Sequence, residues 1–312
     1  MYKQIDIIIN NKTIYYGIAI LMVVLYHQPA HGIIDGIYFY PGFMGVDIFF
    51  FFSGIGLCYS INKNSLSDFY KHRLIRIAPL YFFLGLFVSI YNNDNTLWDY
   101  FCNISSLSYY GLGGRMFEWY LSSLFVFYLF FPPLYQFLSR INICKAWWVV
   151  LFFLWAVILT LFALCEIPWW FETAIGRIPI FILGVLCYYK KSNFKVGLWV
   201  FSIVLFPSII LYMQGLINTY VLLYCLSPAL MICLSYLIPW IEKSGRLNGM
   251  FTFLGKKSLE IYVANCIVMK FLGHGFSGVE ATAIYWIAIA LVTLPICWVN
   301  NYTSKLFVNN RS

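Results

Sequence analysis

The residue best suited to acid–base chemistry is His27, which ends the apolar run Val-Val-Leu-Tyr. Histidine is the side chain that gains and loses a proton near neutral pH, so it is a candidate general base. The same position also suits a histidine that only forms a hydrogen bond with a neighbour. Position alone leaves these two interpretations open.

A second set of charged residues could hold phosphate groups. Arg73 and Arg76 are three residues apart in Lys-His-Arg-Leu-Ile-Arg, so a helix places both guanidinium groups on one face. Two guanidinium groups in this arrangement form a fork for phosphate oxygens, and Lys71 adds another positive charge. Taken alone, the cluster also fits a basic flank that contacts anionic lipid headgroups.

Further ionisable residues lie in or beside apolar segments, where an unpaired charge is costly. Asp47 needs a partner, and either a histidine ring or Arg177 would satisfy it. It could orient His27 or hold two helices together. Arg177, in Gly-Arg-Ile-Pro-Ile, could bind an anionic group or pair with Asp47, Glu118 or Glu172.

The chain that positions these residues has the composition of a membrane protein. Its 312 residues are 62% hydrophobic and only 10% charged, with a mean hydropathy of +0.79. A soluble domain could not cover that much apolar surface. We therefore predict an all-α, polytopic integral membrane protein with about ten transmembrane helices, at 13–30, 37–60, 77–93, 119–139, 147–165, 173–189, 197–213, 218–240, 258–273 and 282–304.

The positive charges predict the orientation of the chain. Ten spans place both termini on one side, and of the 20 Lys and Arg residues only Arg115, Arg177 and Lys270 fall outside the loops of that side. Such a bias marks the cytoplasmic side, so we predict that both termini are cytoplasmic. The net charge of +8 therefore reports topology and does not indicate a nucleic-acid-binding surface. Neither a signal peptide nor a soluble domain is evident, which predicts a single membrane domain over 1–312.

These motifs follow one another in an order that resembles a known family. Along the chain they are Tyr16-Gly-Ile-Ala, Leu-Tyr-His27, Gly-Val-Asp47-Ile-Phe-Phe, Lys-His-Arg73-Leu-Ile-Arg76, Trp119-Tyr-Leu-Ser, Arg177-Ile-Pro and Gly-Lys-Lys-Ser-Leu-Glu-Ile-Tyr262. Together they span nearly the whole chain, which resembles the acyltransferase family 3 integral membrane proteins. That family includes O-acetyltransferases of bacterial surface polysaccharides.

The resemblance implies ten helices in a bacterial inner membrane and a specific reaction. An acyl group, expected to be acetyl, moves from cytoplasmic acyl-CoA to a hydroxyl group of an extracytoplasmic or lipid-linked glycan. His27 matches the catalytic histidine of the family, and Arg73 and Arg76 match its R-x-x-R pair, which is thought to hold the cofactor's phosphates. The expected partners are acyl-CoA, a glycan or lipid-linked saccharide, and membrane lipid, without nucleic acid.

Three positions differ from the family pattern. Tyr16 stands eleven residues before His27, where the family usually has Arg. The two positions share a helix face about 16 Å apart, and Lys12, one turn earlier, could supply the missing cation by snorkelling. Leu124 stands where many members carry Glu, and Asn265 stands where a histidine is often found.

The predicted site therefore has catalytic, cofactor-binding and substrate-binding residues. Asp47 would orient or charge-balance His27, and Arg177 or Asn265 could polarise the thioester carbonyl or position the glycan. The nine cysteines show no C-x-x-C pairing and suit small buried side chains, so no metal site is predicted. The full assignment is catalytic His27 and Asp47, cofactor-binding Arg73, Arg76, Tyr16 and Lys12, and substrate-binding Glu118, Trp119, Arg177 and Asn265.

Two alternative functions remain open at this point. A transporter or flippase for a lipid-linked sugar or small solute would also have ten spans, buried charges and Pro breaks. Against it, the hydropathy shows no two-fold repeat, and the phosphate fork has no counterpart in the other half. The second alternative is an inactive relative that scaffolds an envelope-synthesis complex. Such a protein would bind acyl-CoA without turnover.

Overall fold

The computed structural model describes residues 2–29, 40–92, 96–105, 107–111, 118–140, 173–189, 208–210, 212–215, 219–272 and 279–309. These residues are helical almost throughout, and no strand occurs among them, so the all-α prediction is confirmed for this part of the chain. Helices suit these apolar runs, because a helix satisfies its backbone N–H and C=O groups without water.

Most helices of the described residues overlap a predicted span, and Tyr2–Asn10, Leu97–Ile104 and Gly245–Lys256 lie in none. Predicted spans that fall within the described residues each overlap a helix, whereas 147–165 and almost all of 197–213 lie outside those residues. A short 3₁₀ turn, Tyr40–Met44, precedes the third helix. The helices are α1 (Tyr2–Asn10), α2 (Lys12–His27), α3 (Gly45–Lys63), α4 (Leu66–Asn92), α5 (Leu97–Ile104), α6 (Tyr120–Arg140), α7 (Ile178–Tyr189), α8 (Thr219–Lys243), α9 (Gly245–Lys256), α10 (Ser258–Leu272) and α11 (Val279–Asn309).

Helix α4 begins well before the predicted start at residue 77. The Ser65 hydroxyl donates to the Asp68 carboxylate over 2.8 Å and accepts from the Asp68 backbone N–H over 3.1 Å. This reciprocal cap starts a helix at Leu66, in a stretch too polar for a hydropathy signal. Arg73 and Arg76 consequently lie inside a continuous helix.

Several helices of the described residues fit a membrane protein. By length and composition, four of them could cross a bilayer: Pro41–Lys63, Leu66–Asn92, Leu222–Lys243 and Glu280–Thr303. Gln4–Asn10 and Lys12–His27 pass the same test as a pair, bent by 78°. The stretch Thr173–Tyr188 forms a shorter apolar helix. Ten spans and cytoplasmic termini stay predictions.

The chain forms two compact units. The first unit comprises the described residues within 1–23, 40–63 and 131–256, and the second comprises those within 24–39, 64–130 and 257–312. In the first unit α3 packs against α7 and α8, and α1 packs against α8. In the second unit α4 packs against α5, α10 and α11, and α10 packs against α11. A single membrane domain stays a prediction.

Helices α3 and α7 lie close together at two glycines. A Cβ atom on Gly54 would lie 2.4 Å from a carbonyl oxygen of α7, and one on Gly184 would lie 2.0 Å from a carbonyl oxygen of α3. Only glycine allows this approach, as in other small-residue crossings of membrane helices. Asp47 and Arg177 each precede their glycine by seven residues, or about two turns, so the crossing places them at the same level.

Candidate active site

His27 lies in the second unit, at the last residue of α2, beside Asn265 of α10. The His27 Nδ1 atom is 3.5 Å from the Asn265 Nδ2 atom. Asn265 is fully buried, whereas His27 keeps part of its surface exposed. The histidine ring therefore has one nitrogen against a buried amide and is still accessible to another molecule.

Tyr285 of α11 holds the other end of the Asn265 amide. Its hydroxyl group donates a hydrogen bond to Asn265 Oδ1, and its side chain is 1% exposed. A buried amide without hydrogen bonds would be costly, and here both of its ends have a partner. Tyr285 was not among the predicted site residues, because one tyrosine among 25 carries no distinctive signal in the sequence.

Gln28, directly after His27, is fixed by the neighbour of Tyr285. The Trp286 indole Nε1–H donates to Gln28 Oε1 over 3.2 Å. An indole N–H can only donate, so the oxygen end of the Gln28 amide faces Trp286. Adjacent residues of α11 thus hold the polar side chains at and beside the end of α2.

Glu118 is bound to the beginning of α6. The backbone N–H groups of Tyr120 and Leu121 donate to its carboxylate over 2.7 and 2.9–3.0 Å. A carboxylate at this position satisfies N–H groups that lack partners within the helix and interacts favourably with the helix dipole. Trp119, the next residue, is partly exposed.

Glu118 also connects α6 to α10. The Tyr262 hydroxyl donates to Glu118 Oε1 over 2.5 Å, and Tyr262 precedes Asn265 by three residues, about one helical turn. Glu118 lies before α6, and burial raises its pKa to about 7, although hydrogen bonds from Tyr262, Leu121 and Tyr120 act in the opposite direction. The carboxylate therefore anchors the helix that carries Asn265.

Arg73 and Arg76 lie one turn apart on α4, as predicted. The Arg73 guanidinium carbon is 5.8 Å from the ring centroid of Phe69 and 5.7 Å from that of Tyr128. Arg73 is partly buried, and Arg76 and Lys71 are exposed. One guanidinium group packed against aromatic rings, together with two exposed cations, suits an anion with several phosphate groups.

Asp47 and Arg177 form a buried ion pair in the first unit. Arg177 Nε is 3.0 Å from Asp47 Oδ1, and the two residues are 0% and 1% exposed. Arg177 Nη1 donates to the carbonyl oxygen of Thr173 over 2.9 Å, and Nη2 donates to that of Phe43 over 3.3 Å. The guanidinium carbon also lies 4.2 Å from the Phe43 ring centroid and 5.1 Å from that of Tyr224.

Ser227 completes this cluster from α8, since its hydroxyl donates to Asp47 Oδ2. Asp47, Arg177 and Ser227 are called the ion-pair cluster below. The sequence left a histidine or Arg177 open as partners of Asp47, and in the first unit Arg177 is bound to it. The cluster ties together α3, α8 and the residue that precedes α7.

Lys12 and Tyr16 meet on α2, also in the first unit. Lys12 Nζ lies 5.1 Å from the Tyr16 ring centroid, which places a positive charge over the ring. Lys12 is partly buried, and a Cβ atom on Gly56 of α3 would lie 3.8 Å from its Nζ atom. The ammonium group is thus beside Tyr16, although its role in cofactor binding stays a prediction.

Comparison with known proteins decides the family. The sequence matches the family model described as an acyltransferase domain over residues 17–301. The chain belongs to acyltransferase family 3. It is a membrane acyltransferase, which confirms the predicted family and enzyme class.

This acyltransferase is also similar to Acyltransferase MdmB of Streptomyces mycarofaciens. The two sequences are 25% identical over 278 residues, which cover 77% of this chain and 71% of the relative. No solved structure matches the chain. The family implies an acyl donor and an acceptor substrate. Among the described residues, no group of three or more His, Cys, Asp and Glu side chains is placed to hold a metal ion.

Proposed function

We propose that this acyltransferase moves an acetyl group from cytoplasmic acetyl-CoA to a hydroxyl group of an extracytoplasmic or lipid-linked glycan. The match to the acyltransferase domain supports the reaction class. The concentration of Lys and Arg residues in the loops of one predicted side supports ten spans with both termini in the cytoplasm. The proposed location is the bacterial plasma membrane.

The observation that carries the proposal is the partly exposed His27 ring against the buried Asn265 amide. In the proposed reaction, the acceptor hydroxyl gives its proton to His27 Nε2 while its oxygen attacks the thioester carbonyl carbon. The new C–O bond forms and the C–S bond of acetyl-CoA breaks. The proton then passes from His27 to the departing thiolate, which leaves as CoA.

Arg73 and Arg76 are the proposed binding residues for the phosphate groups of acetyl-CoA. Packing against Phe69 and Tyr128 supports this role, because it fixes the Arg73 guanidinium group before a ligand binds. Arg76 and Lys71 are exposed and can approach further phosphate oxygens. Trp119 is a proposed contact of the acceptor, since its indole is partly exposed.

We assign Asp47 and Arg177 to the stability of the first unit and not to catalysis. Each of the two charges is bound within the ion-pair cluster and shielded from solvent. A buried ion pair of this kind stabilises only as a pair, because either charge alone would be left uncompensated. Glu118 likewise acts through its bonds to α6 and Tyr262.

The test is acetyl transfer in membranes that contain the wild-type protein, radiolabelled acetyl-CoA and envelope glycan. We expect label in the glycan that alkali releases, because alkali hydrolyses an O-acetyl ester. The variant Arg73→Gln/Arg76→Gln should raise the KM for acetyl-CoA, whereas Arg140→Gln, an exposed arginine at the end of α6, should behave as the wild type. If a lipid-linked sugar crossed the membrane and no label entered the glycan, the transporter alternative would be favoured. Binding of acetyl-CoA without acetyl transfer would favour a scaffold.

A further inference from the structure

We propose that Asn265 and Tyr285 are positioning residues that determine which ring nitrogen of His27 carries the proton. The inference rests on the proposed function, in which His27 is the general base. It follows from the contact chain that runs from the Tyr285 hydroxyl through the Asn265 amide to His27 Nδ1.

A neutral histidine has one N–H donor and one nitrogen acceptor, and its neighbours select between the two forms. In the structure the Asn265 amide presents its Nδ2 atom to His27 Nδ1. An amide NH₂ group can only donate, so Nδ1 is the acceptor in this arrangement and the proton lies on Nε2. This is a resting form, because Nε2 cannot then take the proton of an acceptor hydroxyl.

The reactive form needs a half-turn of the amide about its Cβ–Cγ bond and a change of ring tautomer, in which Nδ1 takes a proton from solvent and Nε2 of the partly exposed ring gives one to solvent. The amide oxygen then faces the ring and accepts from Nδ1–H, which leaves Nε2 free to act as the base. The imidazolium ion formed after proton uptake needs the same arrangement, since both of its nitrogens are donors. The amide oxygen of Asn265 therefore stabilises the protonated ring.

Tyr285 makes both orientations of the amide possible. A hydroxyl group both donates and accepts, so it can donate to Oδ1 in the observed orientation or accept from Nδ2 after the half-turn. Asn265 and Tyr285 are 0% and 1% exposed, so their partners in either orientation come from the protein. The pair thus lets His27 change its protonated nitrogen while the oxygen and the nitrogen of the buried Asn265 amide each keep a partner.

The first test compares kcat and KM among substitutions of equal size. Asn265→Leu should lower kcat about 100-fold, because a positioned general base accelerates a reaction by at least about that factor. The KM for acetyl-CoA should not change. Asn265→Asp should keep most of the activity, because its two oxygens can accept from Tyr285 and from Nδ1–H together. Val263→Ala, at another fully buried position of α10, should leave kcat near the wild-type value. A purely structural position would give the reverse order, with Leu tolerated better than a buried charge.

The second test does not depend on activity. The chain has four histidines, so the His27 resonance of protein labelled with nitrogen-15 histidine can be assigned by its loss in His27→Gln. Asn265→Leu and Tyr285→Phe should each change the ratio of the two neutral ring forms, and Val263→Ala should not. An unchanged ratio would overturn the inference even in an active enzyme. If the wild type transferred no acetyl group but Asn265→Leu and Tyr285→Phe still changed the ratio of the two ring forms, the proposed function would be overturned and this inference would stand.

Discussion

The two units of this acyltransferase each contain a buried polar cluster, and the clusters differ in kind. The ion-pair cluster of the first unit joins two opposite charges that are shielded from solvent. The cluster of the second unit has an amide and a phenol behind a histidine that keeps part of its surface exposed. The charges of the ion-pair cluster are bound to each other, whereas the cluster of the second unit includes the partly exposed His27.

If the proposed function holds, charge alone does not mark the chemical site of this membrane protein. An ionisable residue at membrane depth is a functional hypothesis by default. Asp47 and Arg177 satisfy that criterion, yet their geometry explains them as partners of each other. His27 is the better candidate because its ring combines an accessible surface with a buried hydrogen-bonding partner.

The largest expected effect on stability comes from breaking the ion-pair cluster. Asp47→Ala or Arg177→Ala leaves one buried charge uncompensated and should lower the free energy of unfolding by about 3–5 kcal/mol. Thermal unfolding in detergent measures the loss, with Glu242→Ala as the control at an exposed carboxylate.

Removal of both charges together tests whether Asp47 and Arg177 stabilise the first unit only as a pair. The double variant Asp47→Leu/Arg177→Met removes both charges, so it should be more stable than either single variant. If a folded Arg177→Ala protein instead lost affinity for acetyl-CoA or for the acceptor, then Arg177 would belong to the chemical site and the contrast between the clusters would fail.

A smaller effect is expected at Glu118, with a defined dependence on pH. Its pKa of about 7 in the folded protein lies above the ordinary value of 4.5, so the folded state holds the proton more tightly. Its contribution to stability is therefore fully present below the ordinary value and is lost as the pH rises to about 7.

Glu118→Gln should remove this part of the pH dependence and cost about 1–3 kcal/mol for hydrogen bonds that the amide cannot make. Unfolding measured from pH 5 to pH 8 should show a shallower slope for the variant than for the wild type. Equal slopes would mean that Glu118 is not the group responsible.

The smallest effect is expected at Lys12. Lys12→Met removes the ammonium group above the Tyr16 ring and should weaken acetyl-CoA binding by about two- to five-fold, as for one partly solvated charge. Lys256→Met, an exposed lysine at the end of α9, is the control. Unchanged affinity in Lys12→Met would exclude Lys12 as a replacement for the family's arginine, and recovery in Lys12→Met/Tyr16→Arg would support it.

Hydropathy predicted most of the helices, because apolar runs of bilayer length leave few alternatives. The start of α4 could not be found in this way, since Lys71, Arg73 and Arg76 lower the hydropathy of a segment that Ser65 nevertheless caps as a helix. Residue type and spacing similarly sufficed to place Arg73 and Arg76 on one helical face.

The partners of the site residues were much harder to predict. Asn265 stood out in the sequence only as a departure from a family pattern, and Tyr285 did not stand out at all. Their contacts join α10 and α11 to the end of α2, and such contacts depend on how distant segments pack. For Asp47, the sequence indicated either a histidine or Arg177 as the partner. The packing of α3 against α7 places Arg177 beside it.

Acetyl transfer by His27→Ala, in membranes supplied with radiolabelled acetyl-CoA and envelope glycan, tests whether His27 is the general base. If His27 is the general base, label in the glycan should fall by about 100-fold or more in the variant, while acetyl-CoA binding persists. His274→Ala, which removes another of the four histidines, should transfer label as the wild type does. Equal label from His27→Ala and wild type would show that His27 is not the general base.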